Sequence, residues 1–273
     1  MRTFLSAILT LVAIGAIIVA LPSMWVTQRV TDTEGFVSVI APLAHDAQVQ
    51  DFIADEITEE VAARTEFPGA SAVVRPLAVS YVQGDSFPAD FSDLVGQQHA
   101  WLFDEAPAGS SAQTMELDIT PMINRALANQ NLPFVLTVSG PVLVPMSEHG
   151  NLEAGRYHKV SGQIETIAYS ASVIAAATAI LALLFAHRRG TVLAWIGIGG
   201  LLAAGLCWVV ALNATTIIDR QVSTEGSGHT VTNLAIDAMA DDLTRWAMIA
   251  AAIGAAVTVV GIVTRLIGGR TRY

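Results

Sequence analysis

Four long stretches of this sequence contain no charged side chain, and they constrain the fold more than any other feature. They are residues 4–25, 166–186, 191–214 and 246–264. A bilayer core about 30 Å thick requires roughly 20 helical residues at about 1.5 Å each, so every stretch is long enough to cross it. Only 14% of the residues are charged, against about 25% in soluble domains. The sequence predicts an α-helical membrane protein with a four-helix transmembrane bundle.

The first stretch could also be read as a secretory signal peptide, because Met1-Arg2 provides a short positive start. Its apolar run is longer than a typical signal core, and it ends through Pro22 and Trp25 rather than at two small residues flanking a cleavage site. We therefore interpret residues 4–25 as an uncleaved anchor, the first transmembrane helix.

The charges are sorted between the segments that connect the spans. Residues 1–3, the turn 187–190 and the tail 265–273 together carry six arginines and no acid. All 24 carboxylates lie elsewhere, 19 in residues 26–165 and five in residues 215–245. Because positive segments stay inside, we predict cytoplasmic termini, an extracytoplasmic domain at 26–165 and a second extracytoplasmic loop at 215–245. The net charge of −10 argues against nucleic acid as a partner.

Residues 26–165 are predicted to form an α+β, mostly helical domain. Thr31 and Glu34 fit a capping box for a helix that runs to about residue 44, and Asp46 fits the cap of the next helix. Further helices are predicted near residues 73–82 and 89–103. Alternation predicts strands at 114–119, 134–138 and 142–144, with a short helix from Thr120-Pro121 to about residue 129. From about residue 152 a helix is expected to run unbroken into the second span, and residues 230–244 are also predicted to be helical.

Small residues four apart mark one face of the last three spans. They are Ala171, Ala175 and Ala179, then Gly199, Ala203 and Cys207, then Ala247, Ala251 and Ala255. Small residues let helices approach closely in lipid, so the pattern favours a closely packed bundle, with a homodimer through these faces as the alternative. Cys207 is the only cysteine and is interpreted as a packing residue.

A short sequence similarity links the segments that follow the two outward spans. Arg29 precedes Thr33-Glu34-Gly35 as Arg220 precedes Thr224-Glu225-Gly226. The similarity is explained either by a duplicated hairpin or by a chance match of four positions.

The outer segments resemble an actinobacterial family of four-span membrane proteins with a large extracytoplasmic domain between the first two spans. The resemblance lies in residues 31–44 (Thr-Asp-Thr-Glu-Gly-Phe-Val-Ser-Val-Ile-Ala-Pro-Leu-Ala), 49–51, 74–77, 91–94 with 99–100, and 117–121. The chain departs from the family pattern at Val95-Gly96-Gln97-Gln98, so the helix there could pack differently. The family has no assigned activity, so the resemblance implies a Gram-positive envelope and carries over no catalytic residue.

No motif for nucleophilic, phosphate-binding or metal chemistry is present: HExxH, CxxC, GxSxG, SxxK, GxxxxGK[ST] and GxGxxG are all missing. His149 and His158 with Glu148 and Glu153 form the best metal candidate, but ordinary surface residues explain them better. His99 is predicted to pack beside Trp101 as a partly buried ring. Acidic pairs such as Glu59-Glu60 and Asp241-Asp242 are expected on solvated helix faces. We predict no catalytic, cofactor or metal site, and no enzyme.

The residues of the spans limit the functions that this chain can have. The spans hold no ionisable residue or proline at mid-depth, which argues against an ion-coupled transporter. The favoured hypothesis is a non-enzymatic multi-pass envelope protein whose acidic outer domain binds or scaffolds another envelope or membrane protein. The alternative is a lipid or small-molecule binding protein with its site between the outer domain and the bundle, where Trp25, Trp208 and Trp246 would mark the mouth.

Overall fold

The structure is a computed structural model, and it describes residues 2–63, 69–106, 115–118, 120–122, 140–141, 143–146, 153–214 and 227–270. The chain divides into two units. The bundle unit comprises Met1–Val30, Val160–Arg220 and Met239–Tyr273, and the second unit comprises Thr31–Lys159 and Gln221–Ala238.

The described chain is predominantly helical. Its helices are α1 (Arg2–Val26), α2 (Thr33–Ile40), α3 (Ala47–Ala63), α4 (Ala70–Val82), α5 (Phe87–Phe103), α6 (His158–Phe185), α7 (Arg189–Leu212) and α8 (Ser227–Arg270). A π-helix, Thr27–Thr31, continues α1, and a 3₁₀-helix, Ala41–His45, follows α2. Four of these helices, α1, α6, α7 and α8, are long and apolar enough to cross a membrane. The prediction of four membrane-length helices is therefore confirmed.

The four long helices alternate in direction within the bundle unit. At one end, the Ser6 hydroxyl of α1 donates to the Ala182 carbonyl of α6 at 3.0 Å. At the other end, Trp25 of α1 donates to Asp242 of α8. The start of α1, the end of α6, the start of α7 and the end of α8 therefore share one end. Large apolar side chains point away from the bundle along every helix, as lipid-facing residues do.

Helices α7 and α8 approach each other along a seam of glycines. A Cβ on Gly197 would lie 2.6 Å from the Gly254 carbonyl oxygen, and a Cβ on Gly190 would lie 2.5 Å from the Gly261 carbonyl oxygen. Only residues without a Cβ fit there, so the two backbones are in direct contact. Such contact supplies the van der Waals packing and weak Cα–H···O bonds that hold helices together where lipid removes the hydrophobic drive.

The small-residue face is confirmed in α7 and partly confirmed in α6. Gly199, Ala203 and Cys207 of α7 are buried, as are Ala171 and Ala175 of α6, whereas Ala179 of α6 is half-buried. In α8 the predicted face is wrong, because Ala251 is half-buried and Ala255 is exposed. The buried line there runs through Ala247, Gly254 and Gly261, seven residues apart. A spacing of four drifts about 40° per step around a helix of about 3.6 residues per turn, whereas a spacing of seven stays on one face.

Two capped helices open the second unit. The carboxylate of Asp32 accepts a hydrogen bond from the Gly35 amide at 2.7 Å, which makes Asp32 the N-cap of α2. The prediction of Thr31 as the cap is therefore wrong by one residue, because the π-helix runs through Thr31 and the extended cap residue follows it. Asp46 caps α3 as predicted, with its carboxylate 2.8 Å from the Gln48 amide.

Helices α4 and α5 lie where the sequence predicts them, with earlier starts. The helix that leads into the second span begins at His158 rather than near residue 152. Gly155 interrupts it with φ +67, a left-handed conformation that favours glycine. The Gly155 amide donates to the Trp101 carbonyl at 2.9 Å and the Tyr157 amide to the Leu102 carbonyl at 3.0 Å. This turn therefore docks on the end of α5 before α6 begins.

A short antiparallel strand pair is the only β structure among the described residues. Strand β1 (Met115–Asp118) lies inside the predicted 114–119 strand, and β2 (Leu143–Met146) begins one residue after the start of the predicted 142–144 strand. The side chain of Gln97 in α5 donates to the Asp118 carbonyl at 3.0 Å and accepts from the Asp118 amide at 2.7 Å. Thr120 begins a helical turn, while residues 134–138 and the rest of the helix predicted to residue 129 lie outside the described residues.

Candidate functional site

Helix α4 of the second unit has apolar residues on two opposite faces. Its inner face buries Ala78 and Val82. The outer face exposes Val73 by 61% and Leu77 by 67%, with Pro76 between them, also exposed. Positions 73, 76 and 77 are spaced as one stripe of an α-helix. This outer stripe, which we call the α4 stripe, is an apolar surface that no described residue covers. The other exposed large apolar residues lie mainly on the membrane-length helices.

Acidic side chains lie on the neighbouring helix. Helix α3 packs beside α4, and an ion pair joins Asp55 of α3 to Arg75 of α4. Asp51, Glu56 and Glu59 of α3 are exposed. The α3–α4 pair therefore presents an apolar stripe beside a row of carboxylates. This combination suits an apolar partner surface that carries positive charge at its edge.

His99 is a core residue of the second unit. It is 3% exposed, stacks on the Phe103 ring at 4.3 Å between centroids, and lies 4.5 Å from Phe36. Its Nδ1 lies 3.0 Å from the Thr33 hydroxyl. The prediction that it packs as a ring holds, but its partners are Phe36 and Phe103 and its burial is nearly complete. These contacts join α2 to α5 and explain His99 without a catalytic role.

The best metal candidate of the sequence lies partly outside the described residues. Glu148 and His149 lie outside them, and the Nδ1 of His158 lies 3.2 Å from the Phe103 carbonyl oxygen. The described residues contain no cluster of three or more histidine, cysteine or acidic side chains that could hold a metal ion. The second TEG segment, residues 224–226, also lies outside the described part of the chain, so the duplicated hairpin stays a prediction.

A polar cluster joins two spans at the end of the bundle opposite to Ser6. The Trp25 indole donates to Asp242 at 2.8 Å, and the Arg29 Nε lies 3.4 Å from the same carboxylate oxygen. Trp25 itself packs in a buried core with Cys207 and Leu243. Arg29 belongs to the π-helix, whose wider turn changes the direction of the following side chains relative to an α-helix.

The sequence pattern does not single out Asp242, because the pair Asp241-Asp242 is expected on a solvated helix face. Asp241 is exposed, but Asp242 is half-buried and bonded. A helical signal was available, because position 242 shares a face with Met239 and Trp246, which pack against the same core. The role of Asp242 is to join α8 to α1, so the cluster is structural.

The opposite end of the bundle contains a cavity of about 560 Å³ between α1 and the α6–α7 turn. Leu11, Ile14, Val192 and Trp195 give it apolar walls, and His187 and Arg188 provide polar groups at the turn. The Thr191 hydroxyl also lines it and is a buried group with no hydrogen-bond partner among the described residues. We call this space the inner cavity, because it lies at the end that carries only arginines as charged residues.

Comparison with known proteins finds no significant match to this chain. No protein-family model matches the chain, no curated protein matches it significantly, and no solved structure does so either. The membrane-length helices therefore define the class, a helical protein consistent with a multi-pass membrane protein. The resemblance to an actinobacterial family stays a prediction.

Proposed function

We propose that this chain is a non-enzymatic multi-pass protein of the cell envelope, whose acidic second unit binds another envelope or membrane protein through the α4 stripe. The observation that carries the proposal is the exposure of Val73 and Leu77 on a helix whose opposite face is already buried. Isolated exposed apolar residues are common, but aligned ones on an unpartnered helix face are typical of an interaction site.

The chemistry of the α3–α4 pair indicates what kind of partner fits. Val73, Pro76 and Leu77 offer a stripe that a groove or a second helix can cover. The exposed Asp51, Glu56 and Glu59 of α3 favour arginine or lysine at the edge of the partner's surface. A protein with an apolar patch and a basic border satisfies both requirements.

A lipid surface is a weaker fit for the same stripe. Amphipathic helices that lie on anionic membranes carry lysine and arginine on the polar face. Helix α4 has one basic residue, Arg75, which is already paired with Asp55, and its neighbour α3 is acidic. Anionic headgroups would be repelled, so a protein partner is favoured.

The placement in the cell follows from charge sorting. The bundle end that carries Arg188, Arg189 and Arg265 would lie in the cytoplasm, and the second unit would lie outside. Reporter fusions after Tyr273 and within the second unit test this orientation. A reporter after Tyr273 that is active only outside the cell would contradict it. An actinobacterial, Gram-positive envelope remains the location that the sequence resemblance suggests.

The binding proposal is tested by site-specific photocrosslinking in cells. A photoreactive residue at Leu77 is expected to yield one discrete crosslinked protein. The same probe at Gln48, an exposed position of α3, is the matched control and should not yield it. The double change Glu56→Lys and Glu59→Lys should weaken the Leu77 crosslink, because the basic border would then be repelled.

Two results would contradict the proposal. One is a Leu77 pattern identical to that of Gln48 at equal expression. The other is crosslinking of Leu77 to lipid alone, which would show that α4 lies on the membrane surface. A crosslink that persists unchanged after both charge reversals would refute the assigned role of the α3 carboxylates.

A further inference from the structure

We propose that the inner cavity binds one anionic phospholipid, with the phosphate at Arg188 and part of an acyl chain between α1 and α7. The site belongs to the bundle unit and does not depend on the protein partner proposed above.

The size and shape of the inner cavity suit a lipid. A volume of about 560 Å³ lies in the range of small-molecule sites, about 300–1,000 Å³. Leu11 and Trp195, which line it, are also 71% and 53% exposed to the surroundings of the bundle. The cavity is therefore open sideways, toward the lipid that surrounds a membrane bundle, and a bilayer lipid can enter without leaving the membrane.

The polar groups are placed for a headgroup. His187 and Arg188 lie in the turn between α6 and α7, where the membrane-length helices end. Arg265 lies close in space to this turn, beside Gly190, and no described residue at this end is acidic. Basic pockets between transmembrane helices at the cytoplasmic side are the usual sites for anionic headgroups. The charge is thus complementary to a phosphate.

The Thr191 hydroxyl supplies an independent observation. Its oxygen is buried in the wall of the cavity and has no partner among the described residues. A buried hydroxyl without a hydrogen-bond partner is destabilising. By contrast, two other hydroxyls of the wall are satisfied, since Ser6 donates to the Ala182 carbonyl and Thr10 donates to the Ser6 carbonyl. Rotation of the Thr191 side chain about χ1 would turn this hydroxyl into the cavity, where a phosphate or ester oxygen can accept its hydrogen bond.

The occupant is an intact lipid rather than a soluble anion because the walls are largely apolar. Leu11, Ile14 and Val192 would gain nothing from inorganic phosphate, whereas an acyl chain covers them. Phosphatidylglycerol is therefore the probe of choice. Phosphatidylcholine with identical chains is the neutral counterpart.

The test measures lipid retained by the full-length protein in native mass spectrometry. We expect phosphatidylglycerol to be retained more than phosphatidylcholine. Arg188→Gln should lower phosphatidylglycerol retention about fivefold, the effect of one basic residue near a headgroup. Arg189→Gln is the matched control, because it removes the same charge from the next residue, which does not line the cavity. It should change retention by less than about twofold.

A second variant keeps every charge. Thr191→Val removes the hydroxyl while preserving the shape of the side chain, and it should also lower phosphatidylglycerol retention. It covers the case in which Arg188→Gln fails to fold. Equal retention of the two lipids, or equal losses in the Arg188 and Arg189 variants, would overturn the proposal. So would thermal stabilisation by inorganic phosphate that depends on Arg188 and to which added phosphatidylglycerol contributes nothing.

Discussion

The glycine seam between α7 and α8 yields the sharpest prediction, because adding one methyl group tests it. In Gly197→Ala the new Cβ would lie 2.6 Å from both the Gly254 carbonyl oxygen and the Thr258 amide nitrogen. Ordinary contact begins at 3.4 Å, so α8 must move away by about 0.8 Å, the difference between the two distances. The Thr258 hydroxyl lies closer still, but the other two atoms belong to backbone, which no side-chain rotation can move aside.

The magnitude follows from comparison with a second glycine of α7. Gly205 has open space where its Cβ would be, with nothing within 4 Å. Gly205→Ala should gain about 0.5–1 kcal/mol from helix propensity alone. Gly197→Ala has the same gain but carries an overpacking cost of about 1–3 kcal/mol. Because the propensity gain cancels between the two variants, Gly197→Ala should be about 1–3 kcal/mol less stable than Gly205→Ala.

The assay is reversible unfolding of the purified full-length chain in detergent micelles, followed by far-ultraviolet circular dichroism. Gly261→Ala, whose Cβ would meet the Gly190 carbonyl oxygen at 2.7 Å, should behave as Gly197→Ala does. Equal stabilities of the Gly197 and Gly205 variants would refute direct backbone contact between α7 and α8. A destabilised Gly205 variant would show that the outward face of α7 is covered.

Three further predictions address hydrogen bonds. Asp242→Ala, which removes the acceptor of the Trp25 indole, should lower the free energy of unfolding by about 1.5 kcal/mol, the low end for a bond to a charged group. The tryptophan fluorescence should shift to the red, and an unshifted spectrum would contradict the bond. In the strand pair, hydrogen bonds from the Thr120 side chain and amide lower the pKa of the Asp118 carboxyl. The stability that Asp118 contributes is therefore present above its pKa in the unfolded chain and is lost as the pH falls through its pKa in the folded chain. Thr120→Ala should raise the Asp118 pKa in a carboxyl NMR titration, and an unchanged titration would contradict this. Gln97→Leu removes two bonds to the Asp118 backbone and should cost about 1–3 kcal/mol, measured by chemical denaturation, with amide exchange in β1 accelerated; unchanged exchange would show that Gln97 does not hold the strand.

The number of membrane-length helices was predictable because a stretch of about 20 residues without a charged side chain is typical of a membrane-spanning helix. Helix boundaries in the second unit were predictable within a few residues where a cap was present, as at Asp46. The cap of α2 was misplaced because Thr31 and Asp32 both have suitable side chains. Only the π-helix that runs through residue 31 decides between them.

Contacts between segments distant in sequence were not predictable from one sequence. The half-burial of Asp242 depends on Trp25, more than 200 positions earlier in the chain, and no local pattern reports that pairing. The buried face of α8 was misjudged because two registers of small residues coexist there. The exposure of the α4 stripe and the inner cavity are likewise properties of packing, since the sequence shows apolar residues but not which of them lack neighbours.

The turn at Gly155 has a consequence for engineering. The chain leaves α5 at Asp104 and returns to it at Gly155, where the amide of Gly155 bonds the Trp101 carbonyl. A Cβ there would lie 2.9 Å from the Asp104 carbonyl oxygen, so the departure and return points touch. The two ends of the segment 105–154 therefore lie in contact, an arrangement that tolerates insertion of a foreign sequence between them.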